Sequence, residues 1–376
     1  MATDNFGGNG MTEKASRPLV GLLTAILALS LGGLAAKAQA PAGPQNGGQQ
    51  QTAPPPPPAQ QQAPAQKPEQ SGLSISVEVP IVTLDVIATT QHGDILTGLK
   101  KENFKILEDG VPQTITNFGP TDAPITIVML MEFSSRGYEF YAYEARQWAP
   151  VFLRHLKPND WVSLVTFDMR PRLEVDFTQN KEEVDAALQH LYFPGFHESN
   201  VFDSLLDTID RLKDVKNKKS ILVIASGVDT FSKHTLDQTL KLLRQTDVTI
   251  FAVGLDRPLN NYLEARGGGG ANLTTLQGEN QLKTFAQMTG GYAWFPQFDG
   301  EIPGIFQDVT AYLRNQYSLS YTPTNREQNG KFRKIKVELV APDGTPLVVL
   351  DKKGKKQKVV VYAREGYQPP KGGVGD

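Results

Sequence analysis

The sequence ITIVMLMEFSSRG, at residues 125–137, places an almost purely apolar run directly before a cluster of polar residues and a glycine. A continuous apolar run of this kind, here residues 125–131, is typical of a strand that is buried on both faces of a parallel sheet. Residues 138–156 then place apolar side chains at helical spacing. The stretch therefore predicts the first strand and first helix of an α/β domain, with the polar cluster at the carboxyl end of the strand.

The alternation of strands and helices continues beyond this unit. Further strands are predicted at residues 161–167, 172–177, 220–225, 248–255 and 291–295, the second of them a short edge strand. Helices are predicted at residues 181–191, 201–213, 236–245, 280–289 and 305–315. This order is typical of an α/β fold with a doubly wound, mainly parallel sheet and helices on both faces, and we assign it to residues 123–316.

Two β segments flank the α/β domain. In the N-terminal β module, residues 73–122, apolar and polar residues alternate at 76–79, 82–87 and 103–108, and Asp109-Gly110 then predicts a hairpin whose second arm is 111–118. In the C-terminal β segment, residues 317–367, strands are predicted at 317–321, 332–340, 346–350 and 357–362, before a tail at 368–376. Each segment is too short for a core of its own, so we expect them to pack on each other or on one flank of the α/β domain.

The first 72 residues predict export rather than structure. Residues 1–40 combine Lys14 and Arg17, an apolar run at 19–34 and small residues at cleavage spacing, which indicates a signal peptide. A retained membrane anchor is the alternative. Residues 41–72 form a Pro/Gln-rich linker with an unbroken proline run at 54–58, a composition that favours an extended, semi-rigid tether. We expect a periplasmic or cell-surface protein.

Composition excludes several kinds of site and partner. The net charge is −2 with basic residues spread along the chain, so no basic domain indicates nucleic acid. The chain has no cysteine, which excludes disulfides, thiolate zinc sites and cysteine nucleophiles. Metals that prefer oxygen ligands, Mg²⁺ and Ca²⁺, remain compatible with the composition.

The motifs of common enzymes are missing from the sequence. There is no G-x-G-x-x-G dinucleotide loop, no phosphate-binding loop, no G-x-S-x-G elbow and no H-E-x-x-H zinc motif. We therefore predict no catalytic residue, no small-molecule substrate and no enzymatic activity.

Several motifs resemble one known family. The strand end at residues 128–136 is similar to the D-x-S-x-S strand end of von Willebrand factor type A domains, and the layout from 79 to 367 resembles bacterial VWFA-related proteins. The motifs that carry this wider likeness are LKKENF (99–104), EDGVPQ (108–113), QYSLSYTP (316–323) and REGY (364–367). The resemblance implies a Rossmann-like von Willebrand A fold and a metal-ion-dependent adhesion site, where Mg²⁺ or Ca²⁺ takes a carboxylate from a protein partner.

The residues at these positions depart from the family pattern. The expected metal ligands are Glu132 in place of aspartate, Ser134, which matches, and Ser199, which keeps the hydroxyl of the family's threonine. Arg136 replaces the second serine of the strand end, and Ser226 replaces the second acid, with Asp229 nearby. We expect Arg136, Ser226 and Asp229 to contribute to partner binding.

Arg136 makes a metal cofactor unfavourable at this site. A unit positive charge ~4 Å from a divalent ion, at an effective dielectric constant near 20, costs on the order of 8 kcal/mol. We therefore expect Arg136 to pair with Glu132 and to take the place of the ion, so that no cofactor is needed. Mg²⁺ or Ca²⁺ remains the alternative.

The sequence leads to a non-catalytic, exported, adhesion-like protein-interaction module with a degenerate metal-ion-dependent adhesion site. The alternative is a structural or scaffold protein of the cell envelope, in which the ligand face is vestigial and the β flanks make the contacts. An enzyme with an unrecognised site is a third hypothesis.

Overall fold

A computed structural model of the chain describes residues 81–120, 123–134, 138–191, 195–216, 218–267 and 273–371, without the side chains of residues 120, 138, 139, 141 and 142. The predicted signal peptide, the linker and the strand at 76–79 lie outside these residues, as does Arg136. None of the helices within the described ranges has both the length and the apolar character needed to cross a bilayer.

The chain forms strands at both ends and alternating strands and helices between them. The first four strands are β1 (Val82–Thr90), β2 (Phe104–Glu108), β3 (Val111–Gln113) and β4 (Ile115–Pro120). The central strands are β5 (Thr126–Glu132), β6 (Trp161–Phe167), β7 (Pro171–Thr178), β8 (Lys219–Ala225), β9 (Thr249–Gly254) and β10 (Ala293–Trp294). The helices are α1 (Tyr138–His155), α2 (Lys181–Gln189), α3 (Val201–Arg211), α4 (Leu236–Leu243), α5 (Asp256–Glu264), α6 (Leu273–Thr289) and α7 (Ile302–Arg314). The last strands are β11 (Tyr317–Tyr321), β12 (Arg333–Leu339), β13 (Val349–Leu350), β14 (Lys356–Gln357), β15 (Val359–Tyr362) and β16 (Gly366–Tyr367).

The central sheet has the strand order β10-β9-β8-β5-β6-β7, and all its pairs are parallel except β6 with β7. Every residue of β5 is buried. Successive side chains of β5 point to opposite faces, so Met129 and Met131 join the core beneath α1 and α7, whereas Val128 and Leu130 join the core beneath α3 and α6. The predicted doubly wound α/β fold is confirmed.

The order in which the chain adds strands to the sheet reverses at β5. The chain passes from β5 to β6 and β7 on one side, then returns through α2 and α3 to add β8 and β9 on the other. In open α/β sheets, ligands bind outside the carboxyl ends of the strands at this switch point. The fold therefore directs attention to the ends of β5 and β8.

The two flanking β segments interleave in two shared sheets. One sheet has the order β15-β1-β11-β4 and the other β16-β12-β2-β3, so each contains strands from both ends of the chain. A buried network joins them: Glu108 on β2 accepts hydrogen bonds from Arg333 (3.1 Å), Tyr321 (2.7 Å) and Tyr367 (3.2 Å). The two segments thus form one β unit, as expected for segments that are each too short to form a core alone.

The predicted hairpin arm at residues 111–118 is wrong in one respect. Only β3 returns along β2, whereas β4 leaves that sheet and pairs with β11 in the other. Consecutive strands can thus lie in different sheets when the chain turns a corner between them. The alternation of apolar and polar residues is the same in either sheet, so it does not show where the change occurs.

Two helices of the central domain also differ from the prediction. No helix was predicted at 256–264, where Pro258 and two asparagines favour a turn, but proline is tolerated in the first helical turn and α5 forms there. Helix α6 starts at Leu273, seven residues before the predicted 280, and it accommodates Gly278 because the glycine packs closely against another segment.

Candidate functional site

Glu132 and Ser226 meet at the switch point of the sheet. Glu132 is the last residue of β5 and Ser226 directly follows β8, the neighbouring parallel strand. Oε2 of Glu132 accepts hydrogen bonds from the backbone N–H of Ser226 at 2.8 Å and from its hydroxyl at 2.7 Å. Both residues are buried, with Glu132 only 2% exposed. The carboxylate therefore bridges two strand ends.

A third donor reaches the same carboxylate. The hydroxyl of Ser134 donates to Oε1 of Glu132 at 3.3 Å, and Ser134 is itself buried. Hydrogen bonds to an ionised carboxylate stabilise the charged form. The structure thus brings together three of the residues that the sequence singled out, in a cluster satisfied by the chain's own donors.

Ser199 lies beside this cluster, in the loop before α3. Its backbone is held by the loop that follows β8, since its N–H donates to Oγ1 of Thr230 at 2.9 Å and its carbonyl accepts from the N–H of Thr230 at 2.8 Å. Its hydroxyl is buried and has no hydrogen-bond partner within the described ranges. A buried polar atom without a partner is rare in native proteins and calls for a ligand, water or ion.

A cavity of about 360 Å³ opens at this point. It is lined by Glu132, His197, Glu198, Ser199, Val228, Thr230 and Thr274. Of the residues predicted from the sequence, Glu132 and Ser199 are on this wall, whereas Ser134, Ser226 and Asp229 are not.

The sequence analysis missed the other five lining residues. His197 and Glu198 directly precede Ser199, so their position in the sequence next to an expected site residue could have indicated that they line the site. Thr274 comes from the start of α6, which the sequence did not predict to be helical.

Asp229 stabilises a loop instead of facing the cavity. Its carboxylate accepts hydrogen bonds from the hydroxyl of Ser232 (2.5 Å) and from the backbone N–H of Phe202 (3.3 Å) in the first turn of α3. Burial raises the pKa of Asp229, and these hydrogen bonds oppose that rise. Asp229 therefore fixes α3 against the loop after β8, which in turn positions Ser199.

The loop after β8 is held against α6 by two glycines. Gly227 has a φ of +79°, and a Cβ at this position would overlap the carbonyl of Gly278. Glycine is required both for the left-handed backbone and for the close approach. This packing fixes Ser226, and with it the donors that face Glu132.

The residues at this edge differ from the usual ligand set of a divalent cation. Mg²⁺ and Ca²⁺ need several oxygen ligands with free lone pairs. Both oxygens of Glu132 already accept hydrogen bonds, and Ser226 provides a hydroxyl donor where a second acid would be needed. Among the described residues, no group of three or more histidine, aspartate or glutamate side chains could hold a metal ion. The predicted pairing of Arg136 with Glu132 falls outside the described residues and stays a prediction.

One family model matches part of the central domain. Residues 127–288 match the family model of the von Willebrand factor type A domain. No curated protein matches the sequence.

Solved structures with a similar arrangement come from several organisms. Proximal thread matrix protein 1 of the mussel byssus is 13% identical, with 52% of this chain and 49% of that chain covered and a TM-score of 0.40. BatB of Bacteroides thetaiotaomicron is 13% identical (51% and 100% covered, TM-score 0.36), and the vWF domain of the type V pili tip protein Mfa5 of Porphyromonas gingivalis is 10% identical (51% and 96% covered, TM-score 0.39). The match spans about half the length of the mussel protein.

Proposed function

We propose that this chain, which contains a von Willebrand factor type A domain at residues 127–288, is a non-catalytic, exported protein-interaction module that binds its partner without a metal ion. The contact surface is the cavity at the carboxyl ends of β5 and β8, with its rim at Glu198 and Thr230. The periplasm or the cell surface is the proposed location, because residues 1–40 have the composition of a signal peptide.

The observation that carries the proposal is the contrast between Glu132 and Ser199. The carboxylate at the position of the family's metal-ligating aspartate accepts hydrogen bonds from Ser226 and Ser134. Next to it, the hydroxyl of Ser199 is buried without a partner and lines a cavity of about 360 Å³. The site therefore offers a pocket with an unpaired hydroxyl in its wall for a side chain of the partner, instead of a coordinated cation.

Site-specific photo-crosslinking in the native envelope tests this function. A photoreactive residue replaces Glu198, which is exposed at the cavity rim, and in a matched control it replaces Lys213, exposed just beyond the other end of α3. The proposal predicts one discrete protein adduct from position 198, no such adduct from position 213, and the same yield with and without a metal chelator. Thr230→Trp, which blocks the mouth of the cavity, is expected to abolish the adduct.

Other outcomes would contradict the proposal in different ways. An adduct that disappears in chelator would show that a metal ion mediates binding. Adducts from Lys353, at the exposed tip of a turn in the β unit, but none from position 198 would favour the scaffold alternative, in which the β flanks make the contacts.

A further inference from the structure

A second polar cavity, of about 460 Å³, lies at the opposite edge of the central sheet. It is formed by the amino ends of β8 and β9, the end of α6, and the β unit, which contributes β1, β11 and the segment after β15. Six charged residues line it: Asp85, Lys216, Lys218, Lys219, Asp247 and Arg364. Cavities where two structural units meet are common positions for small ligands.

Two of the six charges neutralise each other. The ammonium of Lys219 lies 3.0 Å from Oδ1 of Asp247 and also donates to two backbone carbonyls. The four that remain are three cations, Lys216, Lys218 and Arg364, and one anion, Asp85. The cavity therefore carries a surplus of positive charge.

The inner charges of the cavity lack ionic partners. Within the described ranges, neither Asp85, Lys218 nor Arg364 has an oppositely charged group within 4.0 Å, and the ammonium of Lys218 donates only to the carbonyl of Leu313, at 2.6 Å. Nε of Arg364 is buried and has no hydrogen-bond partner in the described part of the chain. These half-buried charges without direct ionic partners are available to a charged ligand.

The electrostatics of the cavity agree with its geometry. Burial raises the pKa of Asp85, against the neighbouring charges of Lys218 and Arg364. Burial also lowers the pKa of Lys218 to about 8, although Asp85 opposes that shift. Both groups are shifted toward their neutral forms, because the effect of burial exceeds the attraction between the opposite charges.

We propose that this cavity binds a protonated tetrahedral oxyanion, of which monohydrogen phosphate is the simplest. The guanidinium of Arg364 and the ammonium of Lys218 donate to its oxygens, as these groups do in other oxyanion sites. The carboxylate of Asp85 accepts the hydrogen bond of the P–OH group. The negative charge of the ion compensates the surplus of positive charge in the cavity. The ion thereby contacts both the cations, Lys218 and Arg364, and the anion, Asp85.

This arrangement selects between anions of similar size. Inorganic phosphate carries at least one proton at neutral pH and can donate it in a hydrogen bond to Asp85. Sulfate carries none, so its oxygens would face the carboxylate with like charge and no donor. A preference for phosphate over sulfate would therefore show that the carboxylate of Asp85 takes part in binding.

Calorimetric titration of the full chain at neutral pH tests the proposal with inorganic phosphate and sulfate as probes. The wild-type protein is expected to bind phosphate and to bind sulfate at least tenfold more weakly. Arg364→Gln should weaken phosphate binding at least tenfold, and Asp85→Asn should make the two anions bind alike. Lys353→Gln, an equal change of charge on an exposed turn, is the matched control and should bind phosphate like the wild type.

Thermal unfolding without phosphate separates a binding role from a structural one. If Arg364 is kept for the ligand, the Arg364→Gln variant should melt no lower than the wild type, because a half-buried charge without a direct ionic partner has been removed. A lower melting temperature for this variant, equal binding of sulfate and phosphate by the wild type, or no phosphate binding at concentrations up to about 10 mM would each overturn the proposal.

Discussion

The carboxylate of Glu132 reaches across the switch point of the sheet to Ser226, with both contacts at hydrogen-bond distance (2.8 and 2.7 Å). The two residues are the positions where the chain departs from the aspartate and the second acid of the von Willebrand pattern. The departures are complementary, because the longer side chain of glutamate gains reach toward the next strand and serine replaces a like charge with two donors. We propose that this direct hydrogen-bonded contact takes the place of the ion that the family pattern implies.

A double-mutant cycle measures this contact. We expect Ser226→Ala and Glu132→Ala each to destabilise the protein, with a coupling energy of about 1.5–3 kcal/mol, the range for hydrogen bonds to a charged group. Urea unfolding of the two single variants and the double variant gives the value. Glu198→Ala, at the exposed rim of the same cavity, serves as the control and should change stability by less than about 0.5 kcal/mol. A coupling energy near zero would contradict the bridging role.

Gly227→Ala should disrupt the loop that presents Ser226. The substitution forces a side chain into a backbone with φ of +79° and against the carbonyl of Gly278, so we expect a loss of more than about 2 kcal/mol. Gly344→Ala has an equally positive φ, +83°, but open space around the new Cβ, and isolates the strain of the backbone from the clash. Chemical denaturation compares the two, and equal losses would show that contact with α6 is unimportant.

Arg333→Met should uncouple the two ends of the β unit. It leaves Glu108 buried without its cation, which typically costs about 3–5 kcal/mol. Limited proteolysis should then cut within residues 82–120 more rapidly than within the α/β domain. Glu338→Gln, which breaks the near-surface ion pairs of Glu338 with Lys336 on the same strand and with Lys105 on β2, should cost less than about 1 kcal/mol. Unchanged protease resistance in Arg333→Met would mean that the front strands are stable by themselves.

Glu144, buried on α1, predicts a dependence of stability on pH. Burial, with a smaller contribution from Asp299, raises the pKa of Glu144 from 4.5 to about 7. Between these values the folded protein holds a proton that the unfolded chain has released, so stability falls as the pH rises through this window and stays lower above it. Glu144→Gln should therefore stabilise the protein above pH 7, on the order of 2 kcal/mol, and have little effect below pH 4.5. Melting curves across this range check the prediction, with exposed Glu264→Gln as the control.

Hydrophobic patterning predicted the parts of the fold that depend on burial. The apolar runs at β5 and β8 placed two strands correctly because strands covered on both faces tolerate few polar residues. Helix α5 was missed because Pro258 and two asparagines favour a turn, although Leu259 packs into the core and Asn260 joins Asp256 and Thr275 in a buried polar network. The exchange of β4 between sheets was missed because it depends on pairing with β11, about 200 residues away in the sequence, which carries no local signal.

The candidate site was predictable only in part. The family pattern located Glu132 and Ser226, because their positions at strand ends follow from the topology. Their direct contact was not foreseen, because it depends on the separation of two adjacent strands and on the conformation after Gly227. Asp229 was expected on the binding face, whereas its carboxylate accepts hydrogen bonds from Ser232 and from Phe202 at the start of α3. Such a choice between local partners is decided by loop geometry.

The most direct test of the metal-independent site is thermal unfolding of the wild-type protein with a chelator, with Mg²⁺ and with Ca²⁺. A ligand raises the melting temperature only by binding the folded state, so we expect the three curves to coincide. The combined variant Glu132→Asp, Arg136→Ser and Ser226→Asp, which restores the family's ligands, should show a melting temperature that rises with the metal concentration. A metal-dependent rise in the wild-type protein that Glu132→Ala abolishes would contradict the account.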